Sequence, residues 1–172
     1  MTKRLLVKSS KYQLADPSNE KYFAERVVNI LTEAVTKSLP DGWQGIDDSN
    51  KAIDWIKNRA EEGAFLTVHL RSTLKVEGFL FLYDSNGLDD SIELRLGYLL
   101  SESVWGKGLG SELIRGLVQW CEKQNDIQSI SGGVESDNIG SIKVLEKNGF
   151  IPVQSDDQKG NVIFLERRFN HR

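Results

Sequence analysis

The chain has 172 residues, room for one domain of ordinary size but not for separate cofactor and substrate domains. Hydrophobic residues make up 39% and charged residues 27%, enough to bury a core. With 22 basic against 25 acidic residues the net charge is −3, the wrong sign for holding nucleic acid by phosphate neutralisation.

Leu5 to Ser9 reads as a short strand. From Ser18 to Leu39 the apolar positions Tyr22/Phe23, Val27, Ile30/Leu31 and Ala34/Val35 recur at helical spacing, which predicts one helix capped by Ser18 and stopped by Pro40. Pro40-Asp41-Gly42 begins a loop that carries Trp43, and Ser49 is placed to cap a second helix running to Glu62 before Gly63. The texture then changes to short runs rich in Phe, Val, Leu and Tyr. Ala64 to Leu70, Glu77 to Tyr83 and Ile92 to Leu100 read as three consecutive antiparallel strands. Leu109, Leu113, Ile114, Leu117, Val118 and Cys121 form one apolar helical stripe, and a strand follows at Gln128 to Val134. A helix from Asn138 to Asn148 stops at Gly149, and strands at Phe150 to Gln154 and Val162 to Phe169 close the order. Helices first, a meander next, then alternating strands and helices give an α/β (α+β) fold: a mixed, mostly antiparallel sheet of six to seven strands flanked by about four helices.

One cysteine and two histidines cannot build a disulfide framework or a thiolate–imidazole zinc site, so no metal is expected, and a reducing compartment is. The first residues are too briefly apolar for a signal-peptide core, and no run reaches the roughly 18 apolar residues of a membrane span. A cytoplasmic protein without a membrane partner is expected. Nothing marks a linker or a repeat, so residues 1–172 are read as a single domain.

The most informative stretch is Trp105-Gly106-Lys107-Gly108-Leu109-Gly110-Ser111, between a strand and an amphipathic helix. Alternate glycines let successive backbone N–H groups close on an anion at a helix N-terminus, where the dipole also favours negative charge. The competing reading is a tight turn that needs glycine only for positive φ. Two better-known phosphate patterns fail. GxGxxG would need glycine where Ser111 or Leu113 stands, and the Walker pattern needs Ser or Thr where Gly108 stands.

A second motif, Asn138-Ile-Gly-Ser141-Ile-Lys-Val-Leu145-Glu146-Lys147-Asn148-Gly149-Phe150, begins 28 positions beyond Gly110. Loop and helix together, in this order, resemble the GNAT superfamily of acyl-CoA-dependent N-acyltransferases. The resemblance is tight over Glu93 to Phe150. The Arg4-Leu5 opening and the Trp55-Ile56 helix before Gly63 look like the RimJ/RimL-like subgroup that acetylates ribosomal-protein N-termini. Trp105 stands at the family's usual Gln/Arg position, as in that subgroup. Leu145 stands where many members carry a tyrosine that protonates the CoA thiolate, so that route is closed here.

The resemblance implies acetyl-CoA as co-substrate, with residues 93–155 as its binding core and residues 1–92 largely shaping the acceptor side. It implies that the backbone of Tyr98, Leu99 and Leu100 pairs with the pantetheine arm, and that the amides of Gly106, Lys107, Gly108, Leu109, Gly110 and Ser111 hold the pyrophosphate. Asn138 would bond the arm from the other side, and Ser141 would meet the sulfur.

Amide formation from a thioester needs a neutral amine, a stabilised oxyanion and a leaving sulfur that is protonated or hydrogen-bonded. A backbone N–H near Leu99 or Leu100 can polarise the carbonyl. An α-amine with a reference pKa of about 8 needs less help than a lysine at about 10.4. Glu93, sharing a strand face with Arg95, Gly97 and Leu99 by alternation, is the candidate base; a solvated pair with Arg95 is the other reading. Asn138 suits a helix cap and a ligand alike. Cys121 is read as buried and inert, His69 as structural, and Trp43 either as lining an acceptor pocket or as a loop anchor.

The expected activity is acetyl transfer to a protein N-terminal α-amine. The alternatives are a small-molecule amine such as an aminoglycoside or polyamine, and a non-catalytic acyl-CoA-binding module; a monomer or homodimer fits each. Residues 64–100 hold three basic and five acidic residues. Asp84, Asp89, Asp90 and Glu93 gather on one connection, a patch expected to attract a cationic amine.

Overall fold

The computed structural model describes residues 2–85, 91–154 and 160–170, and Asp16 caps its first long helix. Its side chain accepts from the Ser18 amide at 2.8 Å, with Pro17 at the first helical position, and so starts α2 (Pro17–Ile30) two residues ahead of the expected Ser18 cap. A single-turn α1 (Lys11–Leu14) precedes it, after β1 (Leu5–Ser9). The helix expected to reach Leu39 stops at Ile30. Leu31 leaves helical geometry, and Thr32 caps a separate α3 (Glu33–Thr36), its Oγ1 accepting from the Val35 amide at 3.4 Å. A local hydroxyl competing for backbone donors has divided an otherwise continuous apolar periodicity.

Asp48, rather than Ser49, caps α4 (Ser49–Glu62): its Oδ1 accepts from the Asn50 and Lys51 amides at 2.8 and 2.9 Å. An aspartate one residue earlier reaches the two amides a cap serves, leaving Ser49 the first helical position. Gly63, with extended backbone, leads directly into β2 (Ala64–Leu70). Then come β3 (Val76–Asp84), β4 (Ile92–Leu100), α5 (Leu109–Cys121), β5 (Ile127–Glu135), α6 (Ile139–Lys147), β6 (Ile151–Val153) and β7 (Val162–Arg168). The strands form one seven-stranded sheet in the order β1-β2-β3-β4-β5-β7-β6. Six α-helical segments accompany it among the described residues, two of them single turns, where about four were expected.

By contact density the chain divides into two bodies. The first holds Lys3–Phe81 and Tyr98–Lys107. Its β1 pairs antiparallel with β2, Leu5 opposite Leu70 and Ser9 opposite Leu66. Its core is aromatic: Phe65 stacks on Phe81 with centroids 4.8 Å apart, Phe79 meets Phe65 edge-on at 5.5 Å, and Trp55 meets Phe65 edge-on at 5.6 Å. Rings in tilted and edge-on contact gain beyond the area they bury. Phe23 of α2, fully buried, joins this cluster.

The second body holds, among the described residues, Thr2, those of Leu82–Gly97 and the chain from Gly108 onward. Here β4 and β5 run parallel, with a bulge between Ile92 and Glu93, and their ladder extends only to Arg95 opposite Ser131. On its other edge β5 pairs antiparallel with β7 from Ser129↔Arg168 to Glu135↔Val162. Leu113 and Ile114 of α5, Ile130, Leu145, Phe150 and Leu165 are buried here. Leu145 is 1% exposed, so its place in the second motif is filled by a core side chain.

Candidate functional site

Gly106 and Gly108 both adopt left-handed backbone, with φ of 70° and 72°. Gly108 is the N-cap of α5, so Leu109 and Gly110 already lie in its first turn. A residue with a Cβ is strained at such angles, which gives these two glycines, and not Gly110, the conformational role. A Cβ built on Gly106 would meet no heavy atom within 4 Å, so space is open where a side chain would stand. Leu109 is 4% exposed and sends its side chain into the core, leaving its backbone as its contribution to the loop.

Residues 105–107 belong to the first body and residues 108–111 to the second. In the first, the Trp105 indole Nε1–H donates to the Leu100 carbonyl at 2.8 Å, tying the end of β4 to the start of the loop. Lys107 Nζ donates to the Ser103 carbonyl at 2.7 Å, and an Arg4 guanidinium N–H donates to the Lys107 carbonyl at 2.9 Å across 103 positions of sequence. Leu99 and Leu100 are buried and Tyr98 half-buried. Gly78 of β3 permits a close approach there, since a Cβ on it would sit 2.4 Å from the Leu99 carbonyl oxygen. In the second body, Asn148 Nδ2 donates to the Ser111 carbonyl at 3.3 Å and to the Val144 carbonyl at 2.8 Å. It thereby links the end of α6 to the first turn of α5. Arg167 in turn donates to the Asn148 carbonyl at 2.8 Å.

Asn138 is the N-cap of α6: its Oδ1 accepts from the Ser141 amide at 3.2 Å. Its Nδ2 makes no hydrogen bond among the described residues, so one side chain caps the helix and still presents two donors. Ser141 is half-buried in the first turn of the same helix. Asn148 lies past the other end, and Gly149 takes the left-handed position with φ of 81°.

Glu93 is half-buried at the bulged start of β4, opposite Ser129 of β5. Its carbonyl accepts from the Ser85 amide and hydroxyl, both at 2.8 Å, while its carboxylate has no partner among the described residues. Arg95 lies with its guanidinium 5.9 Å from the Phe164 ring centroid. Burial alternates along Leu94, Arg95 and Leu96 but ends at the tail, where Leu99 and Leu100 are both buried. Asp89 and Asp90, part of the expected acidic patch, lie outside the described residues.

Cys121 is fully buried, and burial pushes its thiol up to about 12, which leaves no thiolate at neutral pH. His69 is buried between the Leu74 carbonyl and the Thr67 hydroxyl, and burial lowers its pKa. Trp43 meets Trp55 and Phe81 edge-on, and the Arg59 guanidinium sits 5.1 Å from its ring centroid. Among the described residues no helix is long and apolar enough to cross a membrane, and no three His, Cys, Asp or Glu side chains gather as a metal site.

A left-handed glycine loop opening one helix, followed by an asparagine-capped helix ending in Gly-Phe, is the arrangement the sequence resemblance implied. Residues 14–151 match the acetyltransferase (GNAT) domain family. The chain belongs to that family. The uncharacterised N-acetyltransferase YjdG of Bacillus subtilis is 35% identical over 74 residues, which are 43% of this chain and 41% of that protein, so the matched part spans less than half of that relative's length. Among solved structures, the ribosomal L7/L12 alpha-N-protein acetyltransferase RimL, in complex with coenzyme A, superposes with a TM-score of 0.75 at 17% identity, covering 98% of this chain and 96% of that one. The enzyme AAC(6')-Ib, in complex with ribostamycin and coenzyme A, reaches 0.71 at 17% identity, covering 96% and 94%. At such identities the superpositions speak for the GNAT fold alone.

Arg4, Gly78 and Asn148 are supports of this GNAT domain that the sequence pattern does not reveal. In the sequence the Arg4-Leu5 opening carries only the subgroup resemblance, and Asn148 marks only the end of a helix.

Proposed function

We propose that this chain transfers an acetyl group from acetyl-CoA to a primary amine, and that the amine is the α-amine of a protein N-terminus. The observation that carries the reading is the pair Gly106 and Gly108: two left-handed glycines, the first with open space where a Cβ would stand, leading into the N-terminus of α5. The backbone N–H groups of a left-handed glycine turn and a helix dipole suit a diphosphate. Asn138 fits the same ligand, because its Nδ2 donors are not engaged by the cap and a pantetheine amide offers carbonyl acceptors.

Acetyl-CoA supplies an acyl carbon activated as a thioester. The amine, once neutral, attacks that carbon and a C–N bond forms while the carbonyl oxygen takes up negative charge. Backbone N–H donors at the end of β4 are the expected stabilisers of that charge. As the C–S bond breaks, the Ser141 hydroxyl hydrogen-bonds to the departing thiolate, which takes its proton from water; Leu145, in the core, offers none. The proton lost from the amine reaches Glu93 only through a chain of waters, since six residues of strand, roughly 20 Å, separate it from Leu99. An α-amine loses it more readily than a lysine near neutral pH. The preference for a protein N-terminus is supported by Trp105, Ser141 and the Arg4-Leu5 opening, the residues that resemble the ribosomal-protein subgroup.

Thiol release from acetyl-CoA, followed with a peptide library and a panel of aminoglycosides and polyamines, tests both parts. Saturable release with peptides and not with small amines is the expected result. Release with small amines alone moves the acceptor to that class. Tight CoA binding without amine-dependent release leaves a binding module.

A further inference from the structure

Glu77 of β3 is a buried carboxylate, 4% exposed, that the chemistry above does not use. Buried carboxylates persist only when paired and hydrogen-bonded. Arg26 provides part of this, with one guanidinium nitrogen 3.3 Å from Glu77 Oε2. Yet Arg26 is held more firmly by the Val76 carbonyl, to which Nε and Nη2 donate at 3.0 and 2.7 Å. Lys75 Nζ, half-exposed, stands 3.5 Å from Oε1.

The remaining capacity of Glu77 points at the segment after β4. The Ser103 hydroxyl donates to Glu77 Oε2 at 3.1 Å, the Ser101 amide donates to the Glu77 carbonyl at 2.8 Å, and the Ser101 and Ser103 hydroxyls lie 2.9 Å apart. Ser103 is therefore fixed twice, by its hydroxyl on Glu77 and by its carbonyl under the Lys107 ammonium. Trp105 and Lys107 are pinned in turn, to the Leu100 carbonyl and by Arg4.

We infer that Glu77, acting through Ser103, is a positioning residue that holds Trp105–Lys107 in the shape that receives the phosphates of acetyl-CoA. The inference rests on the function proposed above. A loop whose amides are aligned before binding forfeits less conformational freedom on binding, so loosening this anchor weakens cofactor affinity and leaves bond making untouched.

Ser103→Ala is the informative variant, because it cuts the tie to the loop and leaves the Arg26–Glu77 pair in place. Glu77→Gln, similar in shape, is the second variant. Calorimetry with CoA, steady-state kinetics with varied acetyl-CoA and thermal unfolding are measured for both. The loss of one hydrogen bond predicts a rise of about fivefold in Kd for CoA and in KM for acetyl-CoA, with kcat within about twofold of the parent. Ser103→Thr, which keeps a hydroxyl, restores both constants. A lowered Tm with Kd and KM unchanged makes Glu77 purely structural and overturns the inference, as does a loss confined to kcat. A parent chain that binds no CoA overturns the functional reading and this inference together. A parent that binds while Ser103→Ala binds equally well overturns this one alone.

Discussion

Asn138 shows how one side chain can serve the fold and the site with different atoms. Its Oδ1 caps α6 through the Ser141 amide, and its Nδ2 is left to donate elsewhere. The two tasks separate by substitution. Asn138→Asp keeps a good cap and removes both donors, so it should retain Tm while raising KM for acetyl-CoA. Asn138→Ala should lose both, with about 1 kcal/mol of stability gone from the cap alone. Equal kinetic constants in Asn138→Asp and the parent would leave the residue a cap and nothing more. Ser141 divides differently: its amide belongs to the cap, and its hydroxyl is assigned to the leaving sulfur. Ser141→Ala should therefore lower kcat by about 10²-fold, the scale of one hydrogen bond lost to a developing charge, with KM for acetyl-CoA little changed. A variant with full kcat would leave the thiolate to water alone.

At the scale of elements, the glycine loop is the part whose conformation the sequence makes most demanding. Gly108 holds φ of 72° at the N-cap of α5, and Gly106 holds 70° two residues earlier. An alanine at 108 would be forced into left-handed backbone at a cost of about 1–2 kcal/mol, or would shift the loop to escape it. Gly108→Ala should thus show reduced CoA affinity together with a lower Tm, whereas Gly110→Ala, inside the first helical turn, should be milder in both. This loop was legible because its signal is local: glycines, a strand before and an apolar helical stripe after. The strand bounds at Leu5–Ser9, Ala64–Leu70 and Ile92–Leu100 were legible for the same reason. What escaped sequence reading was set by competition or by distance. Thr32 and the two aspartate caps took backbone donors that periodicity alone assigns elsewhere. Arg4 on Lys107, Asn148 on Ser111 and Glu77 on Ser103 join residues that no spacing rule pairs.

For the molecule as a whole, stability should depend on pH through His69. Its ring lies in β2 of the first body, 4% exposed. Nδ1 faces the Leu74 carbonyl at 2.9 Å and therefore carries the proton, and Nε2 faces the Thr67 hydroxyl at 2.8 Å and accepts from it. Burial, with a smaller push from Lys8, lowers its pKa below the ordinary 6.5, against the Leu74 bond that raises it. The folded state therefore binds fewer protons than the unfolded chain in the window below pH 6.5. Above that window both states hold a neutral ring and His69 adds no slope. As pH falls through it the unfolded ring charges first, and stability is lost at up to about 1.4 kcal/mol per pH unit until the folded ring is protonated too. His69→Gln removes the titration and leaves the carboxylates as they are. The variant should be less stable than the parent at pH 8, where its fitted ring is missed, and the gap should narrow between pH 6.5 and 5 in urea unfolding. Parallel profiles across that range would mean that the ring charges as easily inside the fold as outside it, against the burial and tautomer described here.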